Sequence, residues 1–327
     1  VTEKIDRNLS LELLRVTEVA AMAAASLVGR GDKNKADGAA VYAMRAALAN
    51  VAMNGTVIIG EGEKDQAPML YIGEKIGNGQ PPEVDIAVDP IDGTRLLSQG
   101  LPNALAVVAM AERGSLYSAP GIFYMNKIAV GPDAKDVIDI DQSVLWNLQS
   151  IAWAKGRDIK ELTVAILDRP RHEKLIYEVR EAGARIKLLL DGDIAGSIMA
   201  ARPRTGVDVL MGIGGAPEAV VSACALKCMG GAIQCRQVPR DENERLKALS
   251  MGNNDLDKMF TTDDLVRGNS ISVSITGITN GELVDGVKYL ADEIETHSLV
   301  MRSNSGTVRE VRAWHRPDKL SLYEAPY

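Results

Sequence analysis

The chain has 327 residues, enough for one large domain or two modest ones at about 100 to 200 residues each. Hydrophobic residues make up 46% and charged residues 25%, a globular balance that excludes disordered, collagenous and coiled-coil classes. A net charge of -7 and an aromatic content of 4% argue against nucleic-acid and anionic-membrane partners, so an anionic substrate needs a local basic pocket.

The longest small or apolar run, Val19 to Val28, falls well short of the roughly 20 residues that span a bilayer, and no membrane span is expected. The opening residues carry Glu3, Lys4, Asp6, Arg7 and Glu12 and do not resemble a secretory signal. Cys224, Cys228 and Cys235 lack a CxxC pair and read as reduced core thiols of a cytoplasmic protein.

In chain order, the spacing predicts a helix from Ser10 to Val28, with Leu13, Val16, Ala20 and Ala24 on one face, and a second from Lys35 to Val51. Asp37 falls on the apolar stripe of that second helix, one turn before Val41. An unpaired carboxylate there is costly unless a cation or hydrogen bonds compensate it; an ordinary acid of the first helical turn is the competing account. Strands are expected at Thr56 to Gly60, Val84 to Asp89 and Ala104 to Ala111, the last leading through Glu112-Arg113-Gly114-Ser115 into a hairpin partner. Strands at Leu162 to Asp168, Ile186 to Leu190 and Val207 to Met211 each precede a polar or glycine-rich turn and a helix. Three such units predict a Rossmann-like parallel sheet with its site at the strands' carboxyl ends. A charged helix around Asp241 to Ala248 and strands at Ser270 to Ile275, Ser298 to Arg302 and Thr307 to Trp314 complete the chain.

The densest chemistry lies in Asp89-Pro90-Ile91-Asp92-Gly93-Thr94. Proline has no N–H, so the strand is expected to stop at Asp89 and present its carboxylate. Asp89 and Asp92 then offer the oxygen ligands Mg²⁺ or Mn²⁺ prefers, while Gly93 and Thr94 offer N–H groups to a phosphate. An Asp-Pro turn capped by Asp92 is the plainer alternative. Gly60-Glu61-Gly62-Glu63-Lys64-Asp65 places further acids at a strand end and, taken by itself, reads first as a solvated acidic loop. Glu218, after Gly214-Gly215-Ala216-Pro217, reads first as an acid at a helix start. Arg169-Pro170-Arg171-His172 forms a candidate phosphate clamp or a solvated basic turn.

The Asp-Pro-Ile-Asp-Gly-Thr element resembles the signature of the lithium-sensitive, metal-dependent sugar and inositol phosphatases. Gly29 to Asn34, Ile59 to Glu63, Ala67 to Glu74, Arg169 to His172, Asp191-Gly192-Asp193 and Gly214 to Glu218 narrow the resemblance to class II fructose-1,6-bisphosphatases of the GlpX type, from about Asn8 to His315. The resemblance implies an α/β fold, a layered αβαβα sandwich, with a metal-binding half over residues 1–150, a substrate-binding half over 151–327, and the two together one catalytic unit. It implies cytoplasmic gluconeogenesis, hydrolysis of fructose 1,6-bisphosphate, two or more Mg²⁺ or Mn²⁺ ions, and a homo-oligomer, a dimer or tetramer.

Residue by residue, the resemblance makes Asp37 and Glu61 ligands of one metal and Asp89, Asp92 and Glu218 ligands of another. Substrate contacts would come from Asp92, Gly93, Thr94, Tyr124, Arg169, Pro170, Arg171, Asp191, Gly192, Asp193 and Gly215. Thr94, with Asp37 or Asp65, would orient the attacking water. Asp92 stands where many members have Glu, and Ala219 where the family usually has Gly. Alternatives are a dual fructose-1,6-/sedoheptulose-1,7-bisphosphatase, an inositol-type monophosphatase, and a catalytically silent sugar-phosphate sensor.

Overall fold

The computed structural model describes residues 9–61, 70–118, 121–253 and 255–320. The chain divides into two units, Val1–Leu116 with Gly268–Tyr327, and Tyr117–Arg267. The first unit is therefore built from both ends of the chain, and the division expected at residue 150 lies inside the second.

In the first unit, α1 (Leu9–Ala25) and α2 (Lys33–Ala49) bury the faces their spacing predicts, Leu13, Val16, Ala20 and Ala24 on α1 and Val41, Met44 and Leu48 on α2. Asp32 caps α2 by accepting from the Lys35 N–H at 3.0 Å, which satisfies a donor the helix leaves unpaired. The strands β1 (Asn54–Ile59), β2 (Lys75–Ile76) and β3 (Glu83–Asp92), the short helix α3 (Thr94–Gln99) and β4 (Leu105–Glu112) follow.

Two expectations need correction here. β3 does not stop at Asp89: it runs through Pro90 to Asp92, and its pairing with β4 is irregular between Asp89 and Asp92 before resuming at Asp92↔Leu105. The irregularity absorbs the missing proline donor, so the ladder bends instead of ending. Among the described residues no hairpin partner follows β4 either. Its neighbours are β3 and a later strand, and the turn after it is held by side chains: Arg113 donates to Asp85 Oδ1 at 3.3 Å and Asn54 O at 2.7 Å, and the Leu116 N–H donates to Asp85 Oδ2 at 3.2 Å.

The second unit comprises β5 (Tyr124–Val130), α4 (Val144–Lys155), β6 (Thr163–Leu167), α5 (Glu173–Glu181), β7 (Arg185–Leu189), α6 (Ile194–Ala201), β8 (Val209–Gly215), α7 (Ala216–Met229), β9 (Ala232–Val238), α8 (Glu242–Ser250), β10 (Met259–Thr261) and α9 (Thr262–Leu265). Its sheet runs β10-β9-β5-β8-β6-β7. The parallel part holds, since β6 pairs in parallel with β7 and β8. The sheet as a whole is mixed, because β5 lies antiparallel between β8 and β9. Its core gathers Ile128, Val164, Ile166 and Val209 with Leu148 and Ile151 of α4 and Val179 of α5.

The chain then returns to the first unit with β11 (Ser272–Gly277), β12 (Lys288–Tyr289), β13 (Ile294–Arg302), β14 (Thr307–His315) and α10 (Pro317–Leu320). The sheet there runs β12-β13-β11-β4-β3-β1-β2, with β14 on β13. Each unit is thus a mixed sheet carrying helices, an α/β sandwich architecture. Among the described residues no helix is long and apolar enough to cross a membrane, and the three cysteines are free and buried.

Candidate active site

In the first unit, the bend of β3 at Pro90 sets the geometry. Asp92 is buried beyond it, Gly93 takes φ 93°, which a side chain would resist, and Thr94 opens α3. The Thr94 hydroxyl faces two acceptors, Asp37 Oδ1 at 3.1 Å and Ile91 O at 3.2 Å. Burial pushes the Asp37 carboxyl above the ordinary range, opposed by the Thr94 hydrogen bond and the Lys33 ammonium. The costly acid on the α2 stripe thus meets the DPIDGT segment.

Glu61 is half-buried at the end of β1, its N–H donating to Leu70 O at 3.0 Å. Residues 62–69, including Glu63 and Asp65, lie outside the described residues. Among the described residues no group of three or more His, Cys, Asp or Glu side chains gathers closely enough to hold a metal ion by itself.

In the second unit, the carboxyl ends of three parallel strands carry the expected residues. Arg169 follows β6, and its guanidinium pairs with Asp191 Oδ1 at 2.5 Å and donates to Leu190 O at 2.7 Å and Asp168 O at 2.9 Å. Pro170 opens a tight turn, Pro170–His172. Arg171 donates to Ile213 O from Nε at 3.1 Å and Nη2 at 2.8 Å, and stacks 4.8 Å over the Tyr124 ring, a cation–π contact. Among the described residues its partners are a neutral carbonyl and a ring. Gly192 links Asp191 to Asp193 at φ 68°.

His172 is buried with Nε2 accepting from the Ile213 N–H at 2.7 Å and Nδ1 against Leu167 O at 2.7 Å. This fixes the proton on Nδ1. Burial holds its pKa below the ordinary histidine value, against the Leu167 hydrogen bond. It ties β6 to β8 and has no free nitrogen for catalysis.

The glycine run expected as a turn is the last part of β8, paired as Met125↔Gly214 and Tyr124↔Gly215. Side chains occupy the space where Cβ atoms would sit: Asp193 Oδ2 would be 1.9 Å from one on Gly214, and Glu218 Oε2 1.8 Å from one on Gly215. Glu218 follows Pro217 in the first turn of α7. Its Oε2 and Asp193 Oδ1 are buried without hydrogen-bond partners. Burial raises the Glu218 pKa, the Lys127 ammonium lowers it and the Asp193 carboxylate raises it.

Lys127, absent from the residues singled out in the sequence, is fully buried on β5 and pairs with Asp193 Oδ2 at 2.6 Å. The available signal was a lysine inside the strand Met125-Asn126-Lys127-Ile128-Ala129-Val130.

The candidate metal donors are all carboxylate oxygens, the chemistry a hard divalent cation takes. A buried, unpartnered oxygen such as Glu218 Oε2 fits the same use, since a bound cation would offset the desolvation of its carboxylate.

The sequence matches the family described as bacterial fructose-1,6-bisphosphatase, glpX-encoded, over residues 7–315. It is 44% identical over 326 residues to fructose-1,6-bisphosphatase 1 class 2 of Escherichia coli (strain K12), covering 96% of each chain. The class 2 fructose-1,6-bisphosphatase of Shigella flexneri matches with the same identity and coverage. The chain therefore belongs to the bacterial, glpX-encoded fructose-1,6-bisphosphatase family.

Proposed function

We propose that this chain hydrolyses fructose 1,6-bisphosphate to fructose 6-phosphate and phosphate, in gluconeogenesis, with Mg²⁺ or Mn²⁺, two or more per site. The observation that carries the reading is the Thr94–Asp37 hydrogen bond beside Asp92, in a chain of this family. In this reading Asp37, Glu61, Asp89, Asp92 and Glu218 hold the metals, Asp65 assists Thr94, and a bound divalent cation supplies positive charge to phosphate oxygens and lowers the pKa of a nearby water.

The protein's own groups do the rest. The Asp37 carboxylate accepts the Thr94 hydroxyl proton, which leaves the Thr94 oxygen lone pairs to accept from a water and orient it. Gly93 and Thr94 line the reacting phosphate. Arg169 and Arg171, with Tyr124, Pro170 and Gly215, hold the remote phosphate and sugar, and Asp191, Gly192 and Asp193 accept sugar hydroxyls. Remote binding energy positions the reacting end.

A cytoplasmic location and a homo-oligomer, dimer or tetramer, belong to the same reading. Trp153 on α4 and Tyr177 on α5 are 79% and 63% exposed, apolar surface that subunit contact would cover. Sedimentation reads the assembly.

The test is phosphate release by the purified chain from fructose 1,6-bisphosphate, sedoheptulose 1,7-bisphosphate and inositol 1-phosphate, with either cation and after chelation. Metal-dependent release with fructose 1,6-bisphosphate preferred supports the reading. Preference for the inositol ester, or binding without turnover, overturns it.

A further inference from the structure

We infer that Lys127 is a positioning residue for substrate binding: it clamps one oxygen of Asp193 and thereby presents the other to a sugar hydroxyl. The inference rests on the function proposed above and deepens it by adding a residue that never touches the substrate.

Lys127 lies in the middle of β5 with its side chain 0% exposed, and its ammonium sits 2.6 Å from Asp193 Oδ2. Lysine is almost never fully buried unless paired, and removing one partner of such a pair leaves an uncompensated charge. A purely structural pair would satisfy both carboxylate oxygens. Here Oδ1 of Asp193 is buried and has no hydrogen-bond partner, although the residue is only 4% exposed. A buried acceptor left unmet needs a reason, and a ligand donor supplies one.

The backbone around the pair is shaped for it. Gly214 of β8 lies against both partners, since a Cβ there would fall 1.9 Å from Asp193 Oδ2 and 3.0 Å from Lys127 Nζ. Asp193 immediately precedes α6, where its carbonyl accepts from the Ser197 N–H and hydroxyl, both at 3.0 Å. The Asp193 backbone is thus fixed by α6 and its side chain by Lys127. One carboxylate oxygen remains to meet a ligand.

The ammonium also bears on Glu218, whose carboxylate it favours and Asp193 opposes. Loss of Lys127 would remove the positive charge that pairs with Asp193.

The experiment compares wild type, Lys127→Met, Lys127→Arg, Asp193→Asn and the double variant Lys127→Met/Asp193→Asn in fructose 1,6-bisphosphate hydrolysis at saturating Mn²⁺, with folding checked by circular dichroism. Lys127→Met should raise KM by about tenfold to a hundredfold, the loss of one charge-assisted hydrogen bond, with a smaller change in kcat. Lys127→Arg should recover part of the loss. The double variant should be no worse than Asp193→Asn, because Lys127 acts through Asp193.

Should Lys127→Met not fold, Gly214→Ala serves instead, since its methyl group displaces the carboxylate without removing a charge; the same rise in KM is expected. A folded Lys127→Met or Gly214→Ala protein with unchanged KM, or losses that multiply in the double variant, would overturn the inference and leave the proposed function standing. A wild-type protein that hydrolyses no sugar bisphosphate would overturn both.

Discussion

Thr94, at the first position of α3, donates its hydroxyl to Asp37 Oδ1 of α2 at 3.1 Å across 57 positions of sequence. Neither residue is placed by its own helix alone. Asp37 stands on an otherwise apolar stripe, and Thr94 is delivered there by the bend of β3 at Pro90 and the left-handed turn at Gly93.

Thr94→Ala should therefore lower kcat by roughly a hundredfold or more, the usual scale for a group that orients a proton transfer, with a smaller change in KM. Thr94→Ser keeps the hydroxyl and should recover much of the activity. Steady-state kinetics with fructose 1,6-bisphosphate decide the matter, and unchanged kcat in the alanine variant would remove Thr94 from the mechanism.

Metal dependence has a readout besides turnover. An ion that binds only the folded state raises stability by about 2.7 kcal/mol at a hundred times its dissociation constant. Mg²⁺ or Mn²⁺ added after chelation should raise Tm, and Asp37→Asn or Glu218→Gln should shrink the rise. If neither ion moves Tm and activity survives chelation, the metal reading fails.

Much of this was legible in the sequence because it depends on local pattern. The faces of α1 and α2, the three parallel strands and the clustering of Arg169, Asp191 and Glu218 at their ends follow from spacing alone. What was not legible depends on partners distant in sequence. Pro90 looks like a terminator until β4 is seen resuming its pairing at Leu105. The run Gly212 to Gly215 looks like a turn until Asp193 and Glu218 are seen lying against it. Lys127 carries no local sign of its burial, which depends on Asp193, 66 positions away, pairing with it.

Glu18 gives the molecule a pH-dependent stability apart from catalysis. Its carboxyl is buried on α1, accepts from Thr296 Oγ1 at 3.2 Å and lies 3.9 Å from His315 Nε2. Burial pushes its pKa up to about 7, against the Thr296 hydrogen bond and the Arg15 charge. The folded state holds a proton that the unfolded chain releases near 4.5. Its contribution is full below about pH 4.5 and is lost as pH rises through about 7. His315 acts in the opposite sense: burial lowers its pKa, so its contribution is present above the ordinary histidine value and is lost as pH falls through its lowered folded value.

Glu18→Gln removes the first titration and keeps both the acceptor for Thr296 and the His315 response. The variant should match wild type near pH 4.5 and exceed it at pH 8 by at most on the order of 3 kcal/mol, read as a Tm gain of a few degrees. A Tm difference that stays flat with pH would exclude a raised Glu18.

The two arginines, equivalent in the sequence, are not equivalent in the fold. Arg169 is neutralised by Asp191 at 2.5 Å and held by two backbone carbonyls, whereas among the described residues Arg171 meets Ile213 O and the Tyr124 ring and no carboxylate. A remote phosphate dianion should therefore draw mainly on Arg171, through a bidentate guanidinium contact worth roughly 1.5 to 3 kcal/mol, or about ten- to a hundredfold in kcat/KM. Arg171→Ala should lose that factor with fructose 1,6-bisphosphate and lose little with fructose 1-phosphate, which has no remote phosphate to hold. Arg169→Ala should act on both substrates alike, because its loss frees the Asp191-Gly192-Asp193 segment that accepts the sugar. The measurement is kcat/KM for both substrates in both variants, and equal losses for Arg171→Ala on the two would place that guanidinium away from the remote phosphate.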